Sequence, residues 1–405
     1  MRRVVITGMG IWSSIGQDLQ TVTESLKHGR SGIVFDPKRI EYGLQSGFVG
    51  SVPRPDLKPL LPRKTRQMMS EDAEYAYMAV RQAFEQANID DSYLRQNEMG
   101  IIWGTEGNSH QQEYGKIMEE EKCSALIGYN AAFRSTPSSA VVNLSSIYSL
   151  RGVNMTISAA CAGSMHALGV ASMFIQNGMQ DIILVGGSDE VSPKNISNIF
   201  LDSVLKSSND NDPSAVRPFD QNSIGSIPTG GAAALVVEEY EHAKARGVNI
   251  LAEIMGYGFA SGQGEEIYIH NWEAEYRAME KAIKSIGISR YDISAIISPA
   301  PGHLLSDQAD AKALKKICDT SGIPITATDS ITGHGVAISG VTRTVYGIIM
   351  MQNNFIAPTI NLENVAEEAR GLNIIQEKKD IVLDTILVNA AGMGGTYSAI
   401  ILKKV

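Results

Sequence analysis

Cys161 lies in the run Ile157-Ser158-Ala159-Ala160-Cys161-Ala162-Gly163-Ser164-Met165-His166, where a β-branched stretch gives way to small residues and then to a helical pattern of Ala167, Leu168, Val170, Ala171 and Phe174. A thiol at such a junction can act as a nucleophile. The positive end of a helix favours a thiolate, and small neighbours leave room for an acyl group on the sulfur. The same position also suits a small buried core residue, the commoner fate of a lone cysteine in apolar sequence. The other cysteines, Cys123 and Cys318, stand far from it. An odd, scattered set of three argues against a disulfide framework and a zinc site, and for a reducing, cytoplasmic compartment.

The elements that must position this thiol alternate. Val4–Gly8, Gly100–Trp103, Asn154–Ser158 and Ile182–Gly186 read as buried strands, and Glu71–Ala87 and Gly163–Gln176 as amphipathic helices, so the class is α/β. A helix-then-strand unit occurs twice: Tyr75–Ile89 precedes Gly100–Trp103, and Tyr276–Ile288 precedes Ala295–Ser298. That recurrence suggests two similar halves packed together. No low-complexity linker divides them, and the polar run Lys206–Asp212 reads as a solvated loop. With 405 residues, 43% of them hydrophobic, the chain can bury two domains or one large duplicated one. The N-terminal apolar run is short and broken by Gly8 and Gly10, which reads as a first strand rather than a signal peptide, and no apolar stretch is long enough to insert in a membrane. A net charge of −9 disfavours nucleic acid and anionic membranes as partners. The local cluster Arg63-Lys64-Thr65-Arg66 is a candidate docking point for an acidic carrier protein.

Several segments together resemble the β-ketoacyl-acyl-carrier-protein synthases: the opening VVITGMG, the run SAACAGSMHALG, DIILVGGSDE, RPFD at Arg217–Asp220, TGH at Thr332–His334 and the tail VNAAGMGGTYSAIIL, in family order over essentially the whole chain. The resemblance implies a thiolase-type five-layered αβαβα fold with two pseudo-duplicated halves, here 1–250 carrying the cysteine and 251–405 carrying the histidine. It also implies acyl transfer from an acyl carrier protein onto the cysteine, followed by decarboxylative attack of a malonyl-carrier thioester. An enolate in a dry site requires hydrogen-bond donors, which the family supplies with two histidines and a nearby lysine. Carried over by position, Cys161 matches the nucleophile and His334 the second histidine. Neither cofactor nor metal is expected. Family members pair the strand before the nucleophile across a two-fold axis, so a dimer is expected, through Asn154–Ser158.

The departures bear on activity. Aligning Asp307 with the family's Gly-Asp pair puts Pro299 on the first histidine, and the lysine position holds Asp329. Proline has no proton to give, and an anion beside a forming enolate raises its energy in a low-dielectric site. His303, four residues after Pro299, is a possible substitute, although an exposed loop histidine is the expectation. The family's gating phenylalanines are replaced in Ala391-Gly392-Met393-Gly394-Gly395, where Met393 can still gate. Glu106 and His110 are candidates for lining the acyl pocket, and His166 for helix packing. Two functions follow: an acyltransferase of fatty acid or polyketide biosynthesis, acylated on Cys161 and impaired in condensation, or a non-catalytic chain-length-factor-like partner of an intact ketosynthase in an aryl-polyene or polyketide pathway. The dimer is accordingly with itself or with that ketosynthase. A thiolase using coenzyme A fits the RPFD and TGH context less well.

Overall fold

The computed structural model describes residues 1–204, 214, 216–319 and 321–405. The expected loop Lys206–Asp212 lies outside them. In chain order, the elements that build and position the site are β1 (Val4–Trp12), α1 (Glu71–Gln86), β2 (Gly100–Gly104), α2 (Ser139–Tyr148), β3 (Asn154–Ile157), α3 (Gly163–Gln176), β4 (Ile182–Asp189), α4 (Ile196–Val204) and β5 (Gly231–Glu239). They continue with β6 (Ala252–Ser261), α5 (Trp272–Ile286), β7 (Ala295–Ile297), α6 (Leu304–Cys318), β8 (Ile325–Thr326), α7 (Ser339–Asn353), β9 (Thr385–Gly392) and β10 (Thr396–Lys403).

These ten strands form one hydrogen-bonded array in the order β8-β7-β9-β10-β6-β1-β5-β4-β2-β3. The first five strands run 3-2-4-5-1, and the second five repeat that order as 8-7-9-10-6. Pairing repeats as well. β2 is parallel to β3 and β4, and β5 is antiparallel to β4 and β1; β7 is parallel to β8 and β9, and β10 is antiparallel to β9 and β6. The two sets join edge to edge where Val4–Ile6 of β1 pairs antiparallel with Ala252–Ile254 of β6.

Helices cover both faces of each set, giving five layers. α1 and α2 lie outside the first set, α5 and α6 outside the second, and α3 and α7 pack together between the two. Each layer boundary has its own apolar core: a central one around Met165, Leu168, Val345 and Val388, and outer ones around Val80 and Trp103 and around Met279 and Leu314. Close helix-on-sheet approach is set by glycine. A Cβ on Gly10 of β1 would stand 2.0 Å from the Ala79 carbonyl oxygen of α1, and one on Gly258 of β6 would stand 2.1 Å from the Ala278 oxygen of α5. The same contact, a strand glycine under a helix alanine, recurs in each half at Gly8 under Ala83 and at Gly256 under Ala282.

The sequence expectations hold for the α/β class, the five layers and the duplication. Two details differ. β1 runs on to Trp12, because its whole length pairs with β5. β3 was expected to be buried, but it is the outermost strand, with Asn154 exposed and the remaining three residues half-buried. Among the described residues no helix is long and apolar enough to cross a membrane.

Candidate active site

Cys161 sits one residue before Ala162, the cap of α3. Its approach from β3 is sharp. Ala160 adopts a left-handed φ of +46°, an uncommon conformation for a residue with a side chain, and the turn is closed by Ala162 N donating to Ala159 O (3.2 Å) and Gly163 N to Ala160 O (2.9 Å). Ser158 Oγ donates to both Glu106 carboxylate oxygens (3.0 and 3.1 Å), tying the turn to the loop after β2. Burial raises the Glu106 pKa, against the Ser158 hydroxyl and the Ala160 and Ala159 amides, which stabilise its charge. The thiol is buried in a small apolar cluster with Leu201 of α4, Val336 and Met393. A cavity of about 350 Å³ opens beside it, walled by Ile196, Phe200, Leu201, Ile267, Val336 and Met393, with Glu106 as its one charged residue among those described. That is the size and character of a site for an apolar acyl group.

His334 comes from the second half. Its backbone is pinned to residues 227–229, with His334 N donating to Ile227 O (2.7 Å) and Thr229 N to His334 O (3.0 Å). Its Nδ1 lies 2.8 Å from Asp329 Oδ2, and Nε2, which has no other partner, is turned toward Cys161. Burial works against a charged ring here, yet the charge of a Cys161 thiolate and the Asp329 carboxylate prevail and raise the His334 pKa to about 9. The arrangement suits a thiolate–imidazolium pair in which Asp329 fixes the imidazole tautomer.

Asp329 is not the isolated anion that its position suggested. Arg343 of α7 grips it with a two-pronged ion pair, Nη2 to Oδ2 at 2.7 Å and Nε to Oδ1 at 3.1 Å, all three side chains being buried. The negative charge is spent on Arg343 and His334, which removes the repulsion expected from sequence. Arg343 Nη2 also donates to the Pro299 carbonyl oxygen (3.3 Å), so Pro299 is buried within the network but offers it only a backbone acceptor. Sequence reasoning missed Arg343. The signal was there: a single cation in the otherwise uncharged helix Ser339–Asn353 needs a buried anion as partner.

The structure sorts the remaining candidates. Met393 and Glu106 line the Cys161 cavity; His110 does not, its ring lying between Glu113 (3.1 Å) and Arg134 (3.4 Å). His303 is half-buried rather than exposed, because it stands at the start of α6 with Nδ1 on Ser306 Oγ (3.1 Å) and its ring against Tyr268. His166 has both nitrogens occupied, by Tyr257 Oη (2.7 Å) and Thr396 Oγ1 (2.8 Å). Asp307 accepts from Phe219 N (3.0 Å) and Gly302 N (3.1 Å), holding the RPFD segment against the loop after Pro299. His270 was not singled out. It is buried, its Nδ1 has no partner, and burial together with the charges of His334, His303 and Arg343 pulls its pKa down to about 3.

Comparison with known proteins decides the family. The model of the β-ketoacyl synthase N-terminal domain matches residues 1–243, and that of the C-terminal domain residues 251–363. The chain belongs to the β-ketoacyl synthase family. It is 35% identical over 410 residues to 3-oxoacyl-[acyl-carrier-protein] synthase 1 of Haemophilus influenzae, covering all of this chain and 99% of that protein, and 34% identical over 408 residues to the synthase of the same name from Escherichia coli K12, with the same coverage. Among solved structures, a β-ketoacyl synthase from Burkholderia phymatum superposes over the full length of both chains with a TM-score of 0.93 at 29% identity. The ishigamide ketosynthase/chain length factor, at 24% identity and a TM-score of 0.90, shares the fold. This β-ketoacyl synthase thus keeps the thiolase-type fold of its relatives from end to end.

Proposed function

We propose that this β-ketoacyl synthase takes an acyl group from an acyl carrier protein onto Cys161, and that its decarboxylative condensation is slower than that of a family site with two histidines and a lysine. One observation carries the reading: the Arg343–Asp329–His334 chain ends on Cys161 beside an apolar cavity of about 350 Å³. In acylation the Cys161 thiolate attacks the carrier thioester carbonyl, a new sulfur–carbon bond forms, and the carrier's thiolate leaves, taking a proton from the His334 imidazolium. None of this requires a group at position 299. Enolate formation needs a donor, and Pro299 supplies none. The loss of one such donor costs about 10²- to 10³-fold in rate.

The basic run Arg63–Arg66 is the proposed carrier dock; Arg63 and Lys64 are exposed, and Arg66 is half-buried. The bare edge of β3 is the proposed seat of the dimer, with a second copy or an intact ketosynthase. The halves 1–250 and 251–405 and a cytoplasmic location complete the reading. A second reading, a non-catalytic chain-length-factor-like partner, is favoured specifically by Pro299. Supplying acyl-carrier and malonyl-carrier to the purified protein separates them. Intact mass is expected to show an acyl adduct on Cys161, with β-ketoacyl product forming far more slowly than with an intact synthase. Absence of the adduct sinks the first reading, and product at ordinary synthase rates sinks the claim of impairment.

A further inference from the structure

The loop that carries His270 is fastened on two sides. Toward the Cys161 cavity, Gly394 N donates to Ile267 O (2.7 Å) and Asn271 N donates to Tyr397 Oη (2.5 Å), binding the loop to the turn that holds Met393. Toward the Pro299–His303 segment, Ser306 Oγ donates to Tyr268 O (3.3 Å). The loop of His270 therefore runs between the turn of Met393 and the Pro299–His303 segment, and its ring is near enough to His334, His303 and Arg343 to be influenced by their charge. Asn271 caps α5 by accepting from Ala274 N (2.8 Å), which fixes the backbone next to the ring, and the ring stands edge-on to Tyr397. The side chain is 4% exposed with Nδ1 partnerless. It also lines a polar cavity of about 420 Å³ with Gln263, Asn271 and Lys312. A buried orphan N–H is rarer than a bare acceptor, which puts the ring proton on Nε2.

We propose that His270 is the second imidazole of this site, donating from Nε2–H to the enolate oxygen that forms when a malonyl-carrier thioester loses carbon dioxide. The proposal rests on the reading of the chain as a carrier-dependent acyltransferase. In this step the bond between the carboxylate carbon and Cα breaks, its electron pair passes into the enolate, and carbon dioxide leaves. The enolate carbon then attacks the acyl carbonyl as the Cys161 thiolate departs. His270 surrenders no proton; it holds the oxygen while the charge is there. Its depressed pKa keeps the ring neutral and able to do so through the physiological range. His303 is less suited, since its Nδ1 is engaged by Ser306 and its ring is packed against Tyr268.

The test is release of labelled carbon dioxide from carboxyl-labelled malonyl-carrier by the full-length protein, with Cys161 acylation followed by intact mass in the same samples. His270→Ala is expected to lower release by roughly 10²-fold. His270→Gln, which keeps an N–H donor, is expected to recover part of it, while His303→Ala stays within about threefold of wild type. Should His270→Ala unfold, His270→Phe keeps the contact with Tyr397 without the donor and carries the comparison. Release unchanged in these variants, or wild-type release no higher than the blank, overturns the proposal. If wild type fails to acylate Cys161, the reading under the proposed function falls. Decarboxylation does not need an acyl group on the sulfur, so the release data still judge His270.

Discussion

β3 and β8 hold the same place in the repeated strand order, each outermost beside β2 or β7, yet their outer edges differ. β8 is closed by its own chain: Ile325 N donates to Asn373 O (2.9 Å), Ile375 N donates to Ile325 O (2.8 Å), and both residues of the strand are buried. β3 bonds to β2 through Ile101 N to Val153 O (2.6 Å) and Thr105 N to Ile157 O (3.2 Å), and among the described residues nothing pairs with its other edge. An uncovered edge is a template for another chain. The halves divide the chemistry just as unequally. The first presents a thiol in an apolar wall; the second presents His270, His303, His334, Asp329 and Arg343. One repeated pattern thus has an open edge and an apolar wall in the first half, and a closed edge and a buried charge network in the second.

The sharpest way to break that division is Cys161→Ala, which should abolish the acyl adduct altogether in intact-mass spectra. Retention of an adduct on Cys123 or Cys318 at the wild-type rate would place the acyl site elsewhere.

Next in size is the buried charge. Arg343→Met leaves the buried Asp329 with His334 as its remaining partner and should cost about 3–5 kcal/mol of stability, whereas Asp329→Leu with Arg343→Met should lose much less. Chemical denaturation reads both, and equal losses would show that the pair does not act as a unit. The same pairing dictates how condensation can be restored. Pro299→His with Asp329→Lys alone buries two cations side by side, so gain of product is expected only when Arg343→Glu is added. A gain from the two-residue change without Arg343→Glu would contradict the pairing.

The edges are tested by proline. Alternation along β3 turns the Thr156 N–H away from β2, so Thr156→Pro should leave a folded protein that light scattering finds monomeric, while Thr326→Pro in covered β8 should lower the melting temperature. A Thr156→Pro protein that remains a dimer would move the interface off this edge.

The smallest effect is graded with pH. The His334 pKa is raised in the folded state to about 9, so the stabilisation it brings is complete below the unfolded value near 6.5 and is lost as pH rises through about 9. The melting temperatures of wild type and His334→Gln should therefore converge over that window. Parallel curves would mean that the ring is not held charged.

Much of this molecule was legible in one dimension. Cys161 among small residues at a strand–helix junction, the TGH segment and the twice-used helix–strand unit are local patterns. Local patterns suffice because caps, periodicity and close-packing glycines act over a few residues. That positions 299 and 329 hold a proline and an aspartate could likewise be read position by position. Their consequences could not. Whether Asp329 repels an enolate depends on Arg343, 14 residues away and one layer inward, and ion pairing is a matter of distance in space. His270 carried no motif at all; only the fastening of its loop to the Met393 turn and to α6 brings it between the cavities. Even the exposure of β3, which was expected to be buried, was decided by its being last in the sheet, a fact that belongs to the topology and to no residue in it.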